Sequence, residues 1–529
     1  MSAAHWIIVP VVLPLVAGAA LLLLERRRPA LAARLSLAAT AAHLLVSIGL
    51  AARAADGTVS AYLLGNWSAP FGIALALDRL SALLLVLTGV VALATVAYAV
   101  AGEAKRRVDR LGEHFYALFH FQLMGLSGAF LTADLFNLFV FFEVLLIASY
   151  GLLLHGAGSA RLRAAIHYVS FNLTGSALFL VAVASLYGIT GTLNMADLAQ
   201  RVAQLPPEGA LLARSAGLLL LVVFCVKAAL LPLYFWLPAT YGAATAPVAA
   251  LFAIMTKVGV YAVARMYTLV FGADGGPAAD LAQPWLPVLG LGTIALAAVG
   301  ALAARSLRGL TGYLVIASAG TLLLAIGLGS PDTVAAALFY LVNSTLVVAV
   351  LYLLADRIGE QRGEHGDLLA PGPFGAERNL LGAAYFVAAI AVCGLPPLAG
   401  FLGKSLLLAA ARDTGYAAWV WTVVLASGLA IIISLARAGS RVFWKPYLPP
   451  TPPAAVATSS AQAMALAWLF AALLVNAAAA GPLARYTGEA ARQLFEPRAY
   501  IDAVLGARPV PAAIPIREIV GGKPAKAVP

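Results

Sequence analysis

The chain has 529 residues, 62% hydrophobic and 11% charged, with a formal net charge of +11 and a mean hydropathy of +0.93. These values lie far outside soluble averages, and the apolar residues come in runs near the ~20 that a membrane-crossing helix requires, so a soluble domain is excluded and an all-α polytopic membrane protein is expected. The positive charge does not indicate nucleic acid, because Lys and Arg cluster in short loops between apolar runs, where they report topology.

The first run, from about Trp6 to Leu24, is followed rather than preceded by Arg26, Arg27 and Arg28, which reads as a retained first helix and not a signal peptide. Counting onward gives about fourteen spans, at roughly 4–24, 30–51, 80–101, 114–131, 133–155, 164–189, 210–231, 243–270, 284–304, 309–329, 332–355, 380–410, 416–437 and 461–480. Basic residues gather in alternate loops: Arg26 to Arg34, Lys105 to Arg110, Arg161 and Arg163, Arg305 and Arg308, Arg357 to Arg378, and Arg437 to Lys445. The loops between hold only Arg53, Arg201, Arg214 and Arg412, so the first set is expected in the cytoplasm and both termini in the periplasm of a bacterial inner membrane. The basic tail after Pro482 runs against the rule locally, but charges far from a span orient weakly. Its last stretch, 507–529, is polar and proline-bearing and reads as disordered or laid against a partner.

In the fifth span Glu143 follows NLFVFF, with Asp134 at the span's start. The sixth places His167, Ser170 and Thr174 on one face, with Asn172 and Ser176 close by; such groups either hold waters beside the acid or simply pack helices together. Lys227 lies in the seventh, five residues before Pro232. The eighth carries Lys257, Tyr261 and Arg265 at i, i+4 and i+8, a polar stripe from mid-span toward one end. Arg265 itself is better read as an interfacial anchor whose side chain snorkels to headgroups. In the twelfth, Gly394, Pro396 and Pro397 precede Lys404.

One lysine at a span's centre costs about 2.5–3.5 kcal/mol, so Glu143, Lys227, Lys257 and Lys404 together would cost on the order of 10 kcal/mol if unpaired. They are therefore expected to face one another, or water, inside a helix bundle, as a proton path requires; a fixed structural ion pair is the alternative for Glu143. Proline removes a backbone donor and clashes with the preceding turn, so the seventh and twelfth spans should both break near mid-membrane. The breaks lie about five spans apart, an odd number that predicts two inverted five-helix repeats, against unrelated proline kinks as the other reading. The resulting division is 1–112 for the first three helices, 113–270 and 284–445 for the repeats, and 461–529 for the last helix and tail.

No cofactor or metal is expected. Cys225 and Cys393 sit in apolar runs, which excludes a disulfide framework and a thiolate-held cluster. His114 and His120 are six apart, which does not suit a haem pair on one helix, and His43 and His155 are isolated. Gly403-Lys404-Ser405 echoes a phosphate-binding loop, but Leu398 stands where its first glycine belongs.

LDRLSALLLVL around Asp78, FNLFVFFEVLLIASYGLL around Glu143 and the long block from Lys227 to Tyr267 carry a resemblance that continues through LFYLVNSTLVVAVLYLLADRIG, GLPPLAGFLGKSLLL and RAGSRVFW. In this order they resemble the antiporter-like subunits shared by respiratory complex I and the Mrp multisubunit cation/proton antiporters, and are most similar to the D-type subunits of the latter. The resemblance implies a secondary transporter subunit rather than an enzyme, working with other subunits of a hetero-oligomeric complex in lipid and carrying protons against Na⁺ or K⁺. It implies that Glu143 and Lys227 form a charge pair that modulates the lysine, that Lys257 passes the proton across, and that Lys404 exchanges it with the far half-channel. Asn343 stands where the wider family often has histidine, and Val348 where it has lysine, so Ser344 and Thr345 or waters would have to bridge Lys257 to Lys404. Two alternatives accompany this reading: a proton-pumping subunit of complex I or of a membrane-bound hydrogenase, and a non-conducting scaffold.

Overall fold

The computed structural model describes residues 3–105, 112–155, 158–445 and 459–509. The basic loop expected at 105–110 and the tail beyond 509 lie almost wholly outside these. Backbone polar groups in an apolar medium must bond within their own segment, and the long runs of Leu, Val and Ala accordingly form helices.

The chain begins with α1 (Val9–Leu24), α2 (Pro29–Ala54) and α3 (Arg79–Lys105). A feature absent from the sequence reading fills the α2–α3 connection: an antiparallel ribbon of β1 (Ser60–Leu63) and β2 (Ala74–Leu77), with Ser60 opposite Leu77. Next come α4 (Phe115–Leu131), α5 (Leu135–Leu154) and α6 (Ser159–Thr190), then the short amphipathic α7 (Met195–Ala203), whose N-terminal amides are capped by Asn194. The seventh span is broken, as its proline predicts: α8 (Pro207–Ala228) stops, Pro232 lies in the linker, and α9 (Trp236–Ala243) resumes. α10 (Ala246–Leu269), α11 (Leu286–Ala303), α12 (Leu307–Gly327) and α13 (Pro331–Arg362) follow. The twelfth span splits into α14 (Arg378–Cys393) and α15 (Ala399–Ala410) around Gly394, which adopts φ +75°, and Pro396 and Pro397. α16 (Ala417–Gly439) and α17 (Ser460–Ala478) complete the apolar helices. Beyond them, α18 (Ala480–Phe495) and α19 (Arg498–Leu505) fold back onto the bundle where the sequence reading had only a polar tail.

Eleven described helices are long and apolar enough to cross a membrane; the shorter α1, α4 and the α14–α15 pair account for the remainder of the fourteen expected crossings. The centre of the bundle is α10, in which every residue is buried. Gly259 lets α8 approach it: a Cβ there would come within 2.7 Å of the Ala228 amide nitrogen. This close approach holds the break in α8 beside the middle of α10.

Candidate functional site

Glu143 projects from α5 toward α6, where the Ser176 hydroxyl donates a very short hydrogen bond to its carboxylate. From α8, Lys227 donates to the same hydroxyl oxygen at 3.2 Å and to the Asn172 main-chain and side-chain oxygens at 3.3 and 3.5 Å. Its ammonium also lies 5.8 Å from the centre of the Phe142 ring. Acid and base thus face one another, but Ser176 stands between them and no direct ion pair closes.

The interior face of α6 is opposite to the one expected. Tyr168, Asn172, Ser176 and Phe179 are buried, whereas His167, Ser170 and Thr174 point outward. The Thr174 hydroxyl donates to the Ser170 carbonyl of its own helix, and it is Ser176, not these three, that meets Glu143. The large aromatics at 168 and 179 decide the phase, because burying them removes more apolar surface than burying a histidine and two hydroxyls. That stripe at i, i+4, i+8 and i+11 was the signal available for Asn172 and Ser176.

Lys257, only 1% exposed, donates to Ser318 on α12 at 3.2 Å and weakly to Thr256 at 3.4 Å. Ser318 in turn donates to Ser344 on α13 at 2.9 Å, and Ser344 to the Leu341 carbonyl at 3.1 Å. Ser344 is therefore connected to Lys257, but through Ser318, which sequence reasoning missed because a lone serine in an apolar helix carries no pattern. Thr345 donates to the Leu341 carbonyl and joins no lysine. Val348 is buried in α13.

The stripe below Lys257 ends differently from expectation. Tyr261 donates to the Phe130 carbonyl on α4 at 2.9 Å. Arg265 is not an interfacial anchor: it is 3% exposed and its guanidinium donates to Asp78 at 2.6 Å. Asp78 closes the ribbon at the start of α3, where its other carboxylate oxygen accepts from the Ser81 amide and hydroxyl. The Tyr500 ring of α19 lies 4.7 Å from the guanidinium carbon. A buried carboxylate arriving from 187 residues away removes any reason to reach for headgroups.

At the second break, Lys404 donates to the carbonyls of Cys393 at 2.7 Å and Val392 at 3.3 Å, at the C-terminal end of α14. Asn343 donates to the neighbouring Ala391 carbonyl at 3.1 Å. Adjacent residues of α13 therefore serve both sides: Ser344 meets the group around Lys257 and Asn343 meets the break that carries Lys404.

The four charges thus fall in three groups, Glu143 with Lys227 through Ser176, Lys257 with Ser344 through Ser318, and half-buried Lys404 at the end of α14, and each lysine bonds hydroxyl, amide or carbonyl oxygens rather than a carboxylate. Among the described residues, no group of three or more His, Cys, Asp or Glu could hold a metal ion. His43 and His120, the histidines of α2 and α4, bond Ser127 at 2.9 Å and Ser36 at 3.1 Å.

Residues 132–432 match the family described as NADH:quinone oxidoreductase/Mrp antiporter, TM. A relative from Rhizobium meliloti, named as the D subunit of a probable K(+)/H(+) antiporter, is 42% identical over 95% of this chain and 98% of its own length. The D subunit of a Na(+)/H(+) antiporter from Alkalihalophilus pseudofirmus is 36% identical over 94% of this chain and 99% of its own. A chain in the structure of the Mrp complex from Dietzia sp. superposes with a TM-score of 0.83 at 26% identity, covering 96% of this chain and all of that one.

Proposed function

The chain belongs to the NADH:quinone oxidoreductase/Mrp antiporter family, and from that membership we propose that it is the proton-translocating D-type subunit of a multisubunit Na⁺(K⁺)/H⁺ antiporter. It is a multi-pass membrane protein of the bacterial cell membrane and a transporter subunit. Relatives named as antiporter subunits along nearly the whole chain favour this over a redox-driven pump.

One observation carries the mechanism: each buried lysine is hydrogen-bonded to hydroxyl, amide or carbonyl oxygens, and Glu143 reaches Lys227 only through Ser176. Neutral partners hold an ammonium without trapping its proton, because no carboxylate in contact fixes the charge. Protonation of Glu143 weakens its hold on Ser176 and, through it, on Lys227. The proton then moves by way of Lys257, Ser318 and Ser344 toward Lys404, with waters completing the gaps, and the returning proton current drives cation efflux.

The two halves, 113–270 and 284–445, act as inverted repeats. Matching neighbours support this: α4 packs on α5 as α11 does on α12, and α6 touches both pieces of its broken partner as α13 does. The basic loops face the cytoplasm and both termini the periplasm; Arg308 pairing with Asp356, and its amide bonding Asp367, tie two loops of the basic set to one another.

The test uses inside-out vesicles containing the whole complex, in which an added cation collapses a respiration-generated pH gradient. Glu143→Gln, at equal assembly, is expected to abolish the collapse. Undiminished exchange would make Glu143 structural, and no exchange in the native complex would favour a redox-driven pump.

A further inference from the structure

Lys257, Ser318 and Ser344 are all buried, so a proton held among them needs a way out. One helix leads from them to the surface. Counted from Ser344 at i, α13 carries Val348 at i+4, Tyr352 at i+8 and Asp356 at i+12, a row that ends about 18 Å along the axis from Ser344. Half the hydrocarbon thickness of a bilayer is about 15 Å, so Asp356 stands at the edge of the membrane, on the side of the basic loops.

α12 runs against this row. At the inner end Ser318 donates to Ser344 at 2.9 Å, and at the outer end Arg308 donates to Asp356 at 2.9 Å. One turn inside the outer pair, a Cβ on Gly312 of α12 would come within 3.7 Å of the Tyr352 hydroxyl oxygen. Asp356 also accepts from the Tyr98 hydroxyl of α3 at 2.9 Å. Beyond it opens a cavity of about 450 Å³, lined by Arg308, Asp356, Glu360 and Asp367. The row is therefore polar at both ends, with buried Val348 as its apolar member.

Tyr352 is fully buried, yet its hydroxyl bonds nothing among the described residues. A buried polar group left unmade costs about 1–3 kcal/mol, and a phenylalanine would fill the same space without that cost. The Arg308–Asp356 pair can tie α12 to α13 by itself, so packing accounts for the pair but not for the hydroxyl. A phenol is both donor and acceptor: it takes a proton on its oxygen, releases its own hydrogen, and is neutral before and after.

We propose that the α12–α13 seam is the cytoplasmic outlet of the proton path, in which Tyr352 and Asp356 pass the proton from the Ser318–Ser344 pair to the cavity and Val348 is the barrier across the seam. An apolar side chain offers no proton acceptor, and such constrictions conduct when water enters beside them. Ser344 is then a junction, joined to Lys257 through Ser318 and to the outlet along its own helix. The inference rests on the antiporter reading, which supplies the inward proton current. The charged and titratable groups facing the outlet are Arg308, Tyr98, Glu360 and Asp367, together with Tyr241 of α9, whose ring centre lies 6.3 Å from that of Tyr352.

Inside-out vesicles holding the complete complex turn the cavity to the medium, and two rates are read at equal assembly: cation-triggered collapse of the pH gradient, and its decay without added cation. Tyr352→Phe deletes only the hydroxyl. Proton transfer through a positioned group contributes about 100-fold or more and water replaces part of it, so triggered collapse should slow about tenfold. Val348→Thr, close to valine in shape, lowers the barrier and should speed the decay without cation about threefold. In the combined variant that added leak should vanish, because it has to pass Tyr352. A native rate in Tyr352→Phe, a native decay in Val348→Thr, or a leak that survives the combination overturns the outlet; a purely structural Tyr352 would leave the leak in place. Absence of cation-triggered collapse in the native complex sinks the antiporter reading instead, while the decay rates still decide the outlet.

Discussion

Removing the Ser176 hydroxyl isolates its role, because that one atom joins the first acid to the first lysine. It accepts from the Lys227 ammonium at 3.2 Å and donates to the Glu143 carboxylate, and no direct ion pair closes between the two charges. Ser176→Ala deletes both bonds while Lys227 keeps its contacts to Asn172 at 3.3 and 3.5 Å, so the ammonium stays in place. A hydrogen bond to a charged group contributes about 1.5–3 kcal/mol, which converts to a rate or coupling loss of roughly 10- to 100-fold. The expected result is cation-triggered collapse of the pH gradient slowed by that factor at equal complex assembly. Ser176→Thr keeps the hydroxyl and should retain most of the rate. If the alanine variant exchanged within twofold of native, Glu143 and Lys227 would communicate by another route, and the indirect pairing would be incidental.

Asp78→Asn leaves the Arg265 guanidinium buried without its counter-charge; breaking such a pair from one side costs about 3–5 kcal/mol, so thermal stability of the detergent-purified complex should fall markedly. Combining it with Arg265→Met should destabilise less than the two changes summed, and strict additivity would count against the pair. Ser318→Asp sets a carboxylate on Lys257, whose native partners there are hydroxyls at 3.2 and 3.4 Å, and should fix the lysine's proton; exchange should be lost without loss of assembly, and a native exchange rate would remove Lys257 from the path.

The broken helices were legible because proline and glycine act on the backbone directly, whatever packs around them: Pro232 and the Gly394-Pro396-Pro397 group each fall in a linker between two helical pieces. The buried lysines were legible for a similar reason, since a charge in an apolar run is costly wherever the run goes. Partners were not. Ser318 and Asp78 are ordinary residues in local sequence, and what distinguishes them is the approach of Lys257 and Arg265 from segments 61 and 187 residues away. The phase of α6 follows Tyr168 and Phe179 rather than its hydroxyls, because the aromatics bury the greater area. The ribbon at 60–77 was invisible beneath the alternation expected of spans and loops, being only four residues per strand.

The partners of Arg265 differ in chemistry from those of the three lysines. Arginine does not release its proton in a protein, and Arg265 is given a carboxylate at 2.6 Å, further enclosed by Tyr261 and Tyr500. Lysine, unlike arginine, can lose its proton in a protein, and Lys227, Lys257 and Lys404 are given hydroxyl, amide and carbonyl oxygens instead. A carboxylate in contact would make each ammonium permanent, as Asp78 secures a charge that never titrates. Carbonyl oxygens alone also hold a cation that never titrates, since buried Arg362 at the end of α13 donates to the Gly366, Leu368 and Ala370 carbonyls; the lysines differ in being able to lose the proton. The carboxylate-paired cation thus stands where α10 is bound to α3 and α19, and the lysines of the proposed proton path stand between Glu143 and the second helix break.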